Sequence, residues 1–227
     1  MEADSVNSLA RRWWAVATGV VFAVLFFVGQ DILLLDAPGD TSSNAKIASY
    51  YADKGNYHKL LVGRFLVIVS IPFFLWFLGV LRGRLRDREA SPGGLSGTAF
   101  GAGVAFAGLL GVASVVSTAI AASLSFGHEF RTGSLDPQLV RLLANTGYSL
   151  LVPGILAAVV LLAAASLSAL KTLVFPRWLS WAGLVVSALL VPASTVAPVA
   201  VALFALWILA VSVVVIQRPR SDAGLVS

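Results

Sequence analysis

The chain has 227 residues, 58% of them hydrophobic and only 12% charged, with a mean hydropathy of +0.89. Soluble domains carry about 25% charged residues, and one membrane crossing needs about 20 largely apolar residues, so the length accommodates several spans and leaves no room among them for a soluble catalytic domain. Cysteine is absent, which excludes disulfide scaffolds, thiolate nucleophiles and iron–sulfur ligation, and the net charge of +5 gathers at the ends of apolar runs, where it fits membrane topology better than nucleic-acid binding.

The first apolar run covers residues 13–35, follows Arg11 and Arg12, and is interrupted near its end by Gln30 and Asp31. Its length and the lack of a small-residue cleavage site favour an uncleaved anchor over a signal peptide. Residues 36–59 turn polar. Pro38 and Gly39 mark a turn, Ser42 is a plausible N-cap and Gly55 a plausible end for a short helix. Ile47, Tyr50 and Tyr51 fall at i, i+3 and i+4, so such a helix has one apolar face that either lies on the membrane surface or caps the bundle; a plain ordered loop is the alternative.

A second span is expected over residues 60–81, carrying Arg64 and Pro72, and Arg82, Arg84, Arg86 and Arg88 follow in a short basic loop. Residues 96–126 read as a third span, with Gly97, Gly101 and Ala105 at four-residue spacing. Such a face lets another helix approach closely, and the expectation is packing inside the bundle, with oligomerisation or a membrane partner as the alternative. Asp136 and Pro137 read as an N-cap followed by proline at the first helical position. The helix they start runs to about residue 170, longer than a crossing requires, so its first turns should protrude, tilt or break near Pro153; the span is placed at 145–170. The run from Trp178 to Ile216 is too long for one crossing, and a bend at residues 192–198 divides it into spans 178–193 and 197–216.

These elements define a single transmembrane domain over residues 1–227, an all-α polytopic bundle of about six helices with the segment 36–59 as a cap. Arg11, Arg12, Arg82, Arg84, Arg86, Arg88, Lys171, Arg177, Arg218 and Arg220 share one side of it. The excess of positive charge makes that side cytoplasmic, with both termini inside, and Trp13, Trp14, Trp178 and Trp181 fall at the matching interface. The expected location is a plasma membrane.

Ionisable residues inside spans are costly, and each is a functional hypothesis. Asp31 and Arg64 lie at similar depth when counted from the cytoplasmic ends of their helices, which suggests an ion pair joining the first two spans. Gln138, Arg141, Asn145 and Tyr148 recur at i, i+3, i+7 and i+10 and form a polar stripe on one helix face; they are either a protruding helix end under the cap or one wall of an outward pocket completed by Asp31 and Arg64. His58 and His128, with Glu129 beside the second, match no metal-ligand spacing. No phosphate loop, serine elbow or paired-histidine motif occurs, so no cofactor and no catalytic residue are expected.

The basic N-terminus, the first span, the segment with Ser42, Ile47, Tyr50 and Tyr51, the arginine-ended second span, and the run Phe175, Pro176, Arg177, Trp178, Leu179, Ser180, Trp181, Ala182, Gly183 together resemble a family of uncharacterised bacterial multi-helix membrane proteins, defined only as a domain of unknown function. The resemblance implies a bacterial plasma membrane and six helices, and carries no activity or functional residues. The expected function is non-enzymatic: binding of a lipid or amphipathic ligand in an outward pocket with Asp31, Arg64, Arg141, Asn145 and Tyr148 as contacts, or assembly with membrane partners through Gly97, Gly101 and Ala105. A transporter or channel subunit is the alternative.

Overall fold

The computed structural model describes residues 2–35, 37–38, 42–89, 94–126, 135–194 and 196–217, and their side chains except at 2–16, 35, 197 and 215–217. The side chains of Arg11, Arg12, Trp13 and Trp14, and residues Gly39, His128, Glu129, Arg131, Arg218 and Arg220, therefore lie outside the description. Among the described residues there are eight helices and no strand: α1 (Glu2–Leu35), α2 (Asn44–Ala52), α3 (Lys54–Arg86), α4 (Leu95–Ser117), α5 (Ala119–Phe126), α6 (Pro137–Thr172), α7 (Arg177–Ala193) and α8 (Ala197–Gln217). Four contain stretches long and apolar enough to cross a membrane: Ala17–Leu34 within α1, then α3, α4 and α6. Helices α7 and α8 give shorter apolar stretches, Arg177–Ala193 and Pro198–Val214.

Local chemistry sets the helix starts. Asp136 Oδ1 accepts from the Gln138 amide at 2.8 Å, with Pro137 opening α6. Asp53 closes α2 and starts α3, accepting from the Gly55 amide at 2.8 Å, so α2 ends at Ala52, three residues before the expected glycine. Its N-cap is Ser43, one residue after the expected Ser42, accepting from the Lys46 amide at 3.2 Å. Pro72 and Pro153 both sit within unbroken helices; α6 spans 36 residues, about 54 Å at 1.5 Å per residue, so it extends beyond a hydrocarbon core of about 30 Å.

The stretch expected as one helix over 96–126 is two. Ser114 Oγ donates to the Leu110 carbonyl at 2.8 Å and Thr118 Oγ1 donates to the Ser114 carbonyl at 2.7 Å. Hydroxyls bonded back to the preceding turn compete with the helical ladder and bend it, and the ladder breaks at Thr118.

Consecutive long helices pack as neighbours in the order α1, α3, α4, α6, α7, α8, and α8 packs back on α1, closing a six-membered ring. Its centre is filled by Phe22, Phe26, Phe74, Phe106 and Phe204 from α1, α3, α4 and α8, each at most 3% exposed. Phe106 and Phe204 have ring centroids 4.7 Å apart, Phe22 and Phe74 4.6 Å. Helix α2 lies over one end of the ring, where Ile47 and Tyr51 join Tyr57, Leu60, Ile120, Ala121 and Val140 in a second buried cluster. The apolar face of α2 thus caps the bundle.

The small-residue face of α4 does not pack internally. A Cβ placed on Gly97 or Gly101 would meet no atom within 4 Å, and Ala105 is exposed. The buried face carries Ala99, Gly103, Phe106, Ala107, Leu110 and Ala113, because the large apolar residues set the rotation of the helix and leave the glycine stripe outside.

At the opposite end from α2, Glu89 joins three elements. Its carboxylate accepts from the Ser96 amide at 2.9 Å, Ser96 Oγ at 2.6 Å and Ser168 Oγ at 2.6 Å. Partial burial pushes its pKa up, but the hydrogen bonds from Ser168 and Ser96 and the charge of Lys171 outweigh this and hold it below the usual glutamate range. A depressed carboxylate contributes stability that is present above its unfolded pKa and lost as pH falls through the lower folded value. Glu89→Gln is therefore expected to lower thermal stability in detergent at neutral pH. The difference from the parent should shrink once the pH falls below about 4; a gap that stays constant with pH would show that the charge contributes nothing.

Candidate functional site

The two packing clusters do not meet everywhere. Between the aromatic core and the cap is a partly open cavity of about 420 Å³, within the ~300–1,000 Å³ range of small-molecule sites. Helix α1 contributes Gln30, Leu33 and Leu34, α2 Ile47 and Tyr51, α3 Leu60, α4 Ser114 and Ser117, and α6 the segment from Val140 to Leu151. Helix α4 breaks where it forms this wall. Irregular backbone at membrane depth is tolerated where it is buried in protein or lines a cavity.

One side of the polar wall comes from the predicted stripe. Arg141, Asn145 and Tyr148 line the cavity, while Gln138 is exposed and does not. Arg141 Nη2 donates to the Ser42 carbonyl at 2.6 Å, tying α6 to the segment before α2, and Arg141 Nε is buried with no hydrogen-bond partner. The Tyr148 hydroxyl donates to the Ser194 carbonyl at 3.3 Å, which fixes α6 against the turn between α7 and α8. Burial, and to a smaller extent neighbouring Tyr50, pushes the Tyr51 phenol up to about 12, so at physiological pH it is a neutral group.

Asp31 and Arg64 are elsewhere. Neither lines the cavity, Asp31 is exposed and Arg64 half-buried, and among the described residues no ion pair joins them. Equal depth was the only ground for pairing them, and rotation decides otherwise. Helices α1 and α3 meet through Gly29, Ile32 and Gly63, where a Cβ on Gly63 would lie 2.8 Å from Ile32 Cγ2 and 3.1 Å from the Gly29 carbonyl. One residue is about 100° of helix, so Arg64 is turned well away from the α1-facing direction of Gly63, and Asp31 is turned away from both Gly29 and Ile32.

The principal cavity residue missing from the sequence-based set is Gln30. It is 3% exposed, lines the cavity and takes part in none of the described side-chain hydrogen bonds. The sequence carries a signal for it, a carboxamide inside an apolar span, next to the charged and more conspicuous Asp31. Ser117 and Thr118 were hidden in the apparently continuous third span. Among the described residues no three potential metal ligands come together; His58 is exposed, and the pairing of His128 with Glu129 lies outside the described residues.

No family model matches this chain. No curated protein and no solved structure matches it either. The resemblance drawn from the sequence rests on its short motifs alone and adds nothing to the site.

Proposed function

We propose that this chain is a non-enzymatic plasma-membrane protein of bacterial type that binds an amphipathic ligand in a cavity facing away from the cytoplasm. The observation that carries the reading is the cavity itself: apolar walls from Leu33, Leu34, Leu60, Val140 and Leu151 with Arg141, Gln30 and Asn145 set among them. Such a surface suits neither water alone nor a wholly apolar guest. A concave apolar site with a few placed polar groups is the usual form of a small-molecule site.

The topology belongs to the same proposal. Helices α7 and α8, of 17 and 21 residues, reach about 26 and 32 Å, so α8 matches a core of about 30 Å and α7 sits at the lower limit of about 17 residues for a crossing; with α1, α3, α4 and α6 they would give six crossings and both termini on one side. Arg82, Arg84, Arg86, Arg88, Lys171 and Arg177 cluster at the ends opposite α2, so the positive-inside rule puts the cavity on the outer face. Transport is the weaker reading. Alternating-access sites tend to lie near the bilayer midplane between interrupted helices, whereas here five phenylalanines fill the centre and the cavity with its polar lining lies toward one end. Assembly with another membrane chain is a second reading, favoured by the outward position of Gly97, Gly101 and Ala105.

The absence of native cysteine makes a direct test simple. With the chain in sealed vesicles, Ser117→Cys and Asn145→Cys are expected to react with a membrane-impermeant thiol reagent from outside, and an added long-chain amphiphile should slow the reaction. Labelling only from inside would overturn the orientation. Labelling from outside that no amphiphile slows would overturn the binding reading.

A further inference from the structure

The charge inventory of the cavity points to the chemistry of its ligand. Among the described residues that line it, Arg141 is the one cationic side chain and there is no aspartate or glutamate. Arginine stays protonated and presents five donors; the described contacts use one of them, Nη2 to Ser42, and leave the buried Nε without a partner. Gln30 adds an almost fully buried carboxamide in the same wall. Burying a charged group without compensation is unfavourable, so the unpartnered Nε calls for an acceptor with negative charge, and the Gln30 carboxamide has donors to offer the same acceptor. A carboxylate or phosphate supplies it, and guanidinium matches either one with paired, charge-assisted hydrogen bonds.

The rest of the wall specifies the other end of the ligand. From Arg141 the cavity follows α6 through Ala144, Gly147 and Tyr148 to Leu151, ten residues or about 15 Å along the helix. Leu151 also borders a small apolar void beneath, walled by Phe26, Phe106, Ile155 and Phe204. The polarity of the site therefore falls from the capped end toward the aromatic core, and the volume of about 420 Å³ suits one chain rather than two.

We infer that the cavity takes a single-chain anionic amphiphile, with its oxyanion held by Arg141 and Gln30 and its chain directed along Leu60 toward Leu151. This rests on the ligand-binding reading above and adds the head-group charge and the orientation.

The test uses the full chain, purified and delipidated in a neutral detergent, with native mass spectrometry to count bound molecules and rank affinities. The probes share an oleoyl chain: oleate as carboxylate, oleoyl lysophosphatidate as phosphate, and monoolein as the neutral control. The anionic probes should bind one per chain and at least about tenfold more tightly than monoolein, the difference a charge-assisted pair supports; whichever anion binds better names the head group. Arg141→Gln should weaken the anions by about tenfold more than it weakens monoolein and so erase the preference, and Gln30→Leu should weaken both anions severalfold. Because Arg141 also ties down the segment before α2, Asn145→Asp provides an independent arm. It adds a carboxylate one helical turn from Arg141 while keeping Arg141 and its bond to Ser42, so it should repel or displace the anions and weaken them more than monoolein. Monoolein binding as tightly as the anions, or anion binding indifferent to both Arg141→Gln and Asn145→Asp, would overturn the anionic inference and leave the cavity reading standing. If no probe of either charge binds the parent chain, the ligand-binding reading itself falls.

Discussion

Phe106→Ala is expected to destabilise the bundle by about 3 kcal/mol, the lower end of the ~3–5 kcal/mol seen when a buried phenylalanine is truncated. Phe106 is 2% exposed and meets Phe74, Phe26 and Phe204 at centroid distances of 5.4, 6.1 and 4.7 Å, so contacts with rings on three other helices are lost at once. The lower end applies because lipid is as apolar as the protein interior, and helix association in a bilayer depends on packing rather than on escape from water. What is lost is dispersion and close fit. The measurement is the unfolding free energy in mixed micelles titrated with a denaturing detergent. Leu142→Ala, at a side chain 62% exposed, serves as control and should stay within about 0.5 kcal/mol of the parent. Equal effects at the two positions would mean that the aromatic centre does not hold the ring together.

The same contrast between helix faces explains what was legible in the sequence. Signals confined to neighbouring residues could be read: Asp136 and Pro137 start a helix, the proline-flanked stretch after residue 192 ends one, and Ile47 with Tyr51 marks the buried side of α2. Signals that depend on rotation could not. Four-residue spacing says that Gly97, Gly101 and Ala105 share a face, but not which way it points; Phe106 and Leu110 decided that by taking the core side. Asp31 and Arg64 share a depth, yet the glycines at the α1–α3 crossing turn both away from each other.

The candidate site was half legible for the same reason. The stripe Arg141, Asn145 and Tyr148 lies on one helix and is a matter of periodicity, so three residues of the wall could be named in advance. The opposite wall depends on Gln30 from α1 and on the break at Thr118, and the break comes from hydroxyls bonding back to carbonyls within their own helix. In a hydropathy profile those serines and threonines merely lower an apolar average. Nothing local shows that α2 closes over this end and leaves a gap beneath it.

Gly147 brings packing and site together, and Gly147→Ala should destabilise the chain by about 1–3 kcal/mol, the usual cost of overpacking. Alanine ordinarily favours a helix over glycine by about 1 kcal/mol, so propensity alone predicts the opposite sign. The contact geometry decides. A Cβ on Gly147 would lie 2.6 Å from Ser117 Cβ, 2.8 Å from the Ser117 amide nitrogen and 2.9 Å from the Ala113 carbonyl oxygen. Two of these are backbone atoms, which no rotamer change can move aside, so α4 and α6 must separate along the most extensive interface in the bundle. Ser117 lines the cavity as well, and the shift should alter amphiphile protection of a cysteine at that position. Gly101→Ala is the matched comparison, since its Cβ would meet nothing within 4 Å, and in an isolated chain it should be neutral or stabilising. If Gly147→Ala proved harmless, the close approach of α4 and α6 would be wrong; if Gly101→Ala were damaging in the membrane but not in dilute detergent, a second chain would be packing on the outer face of α4.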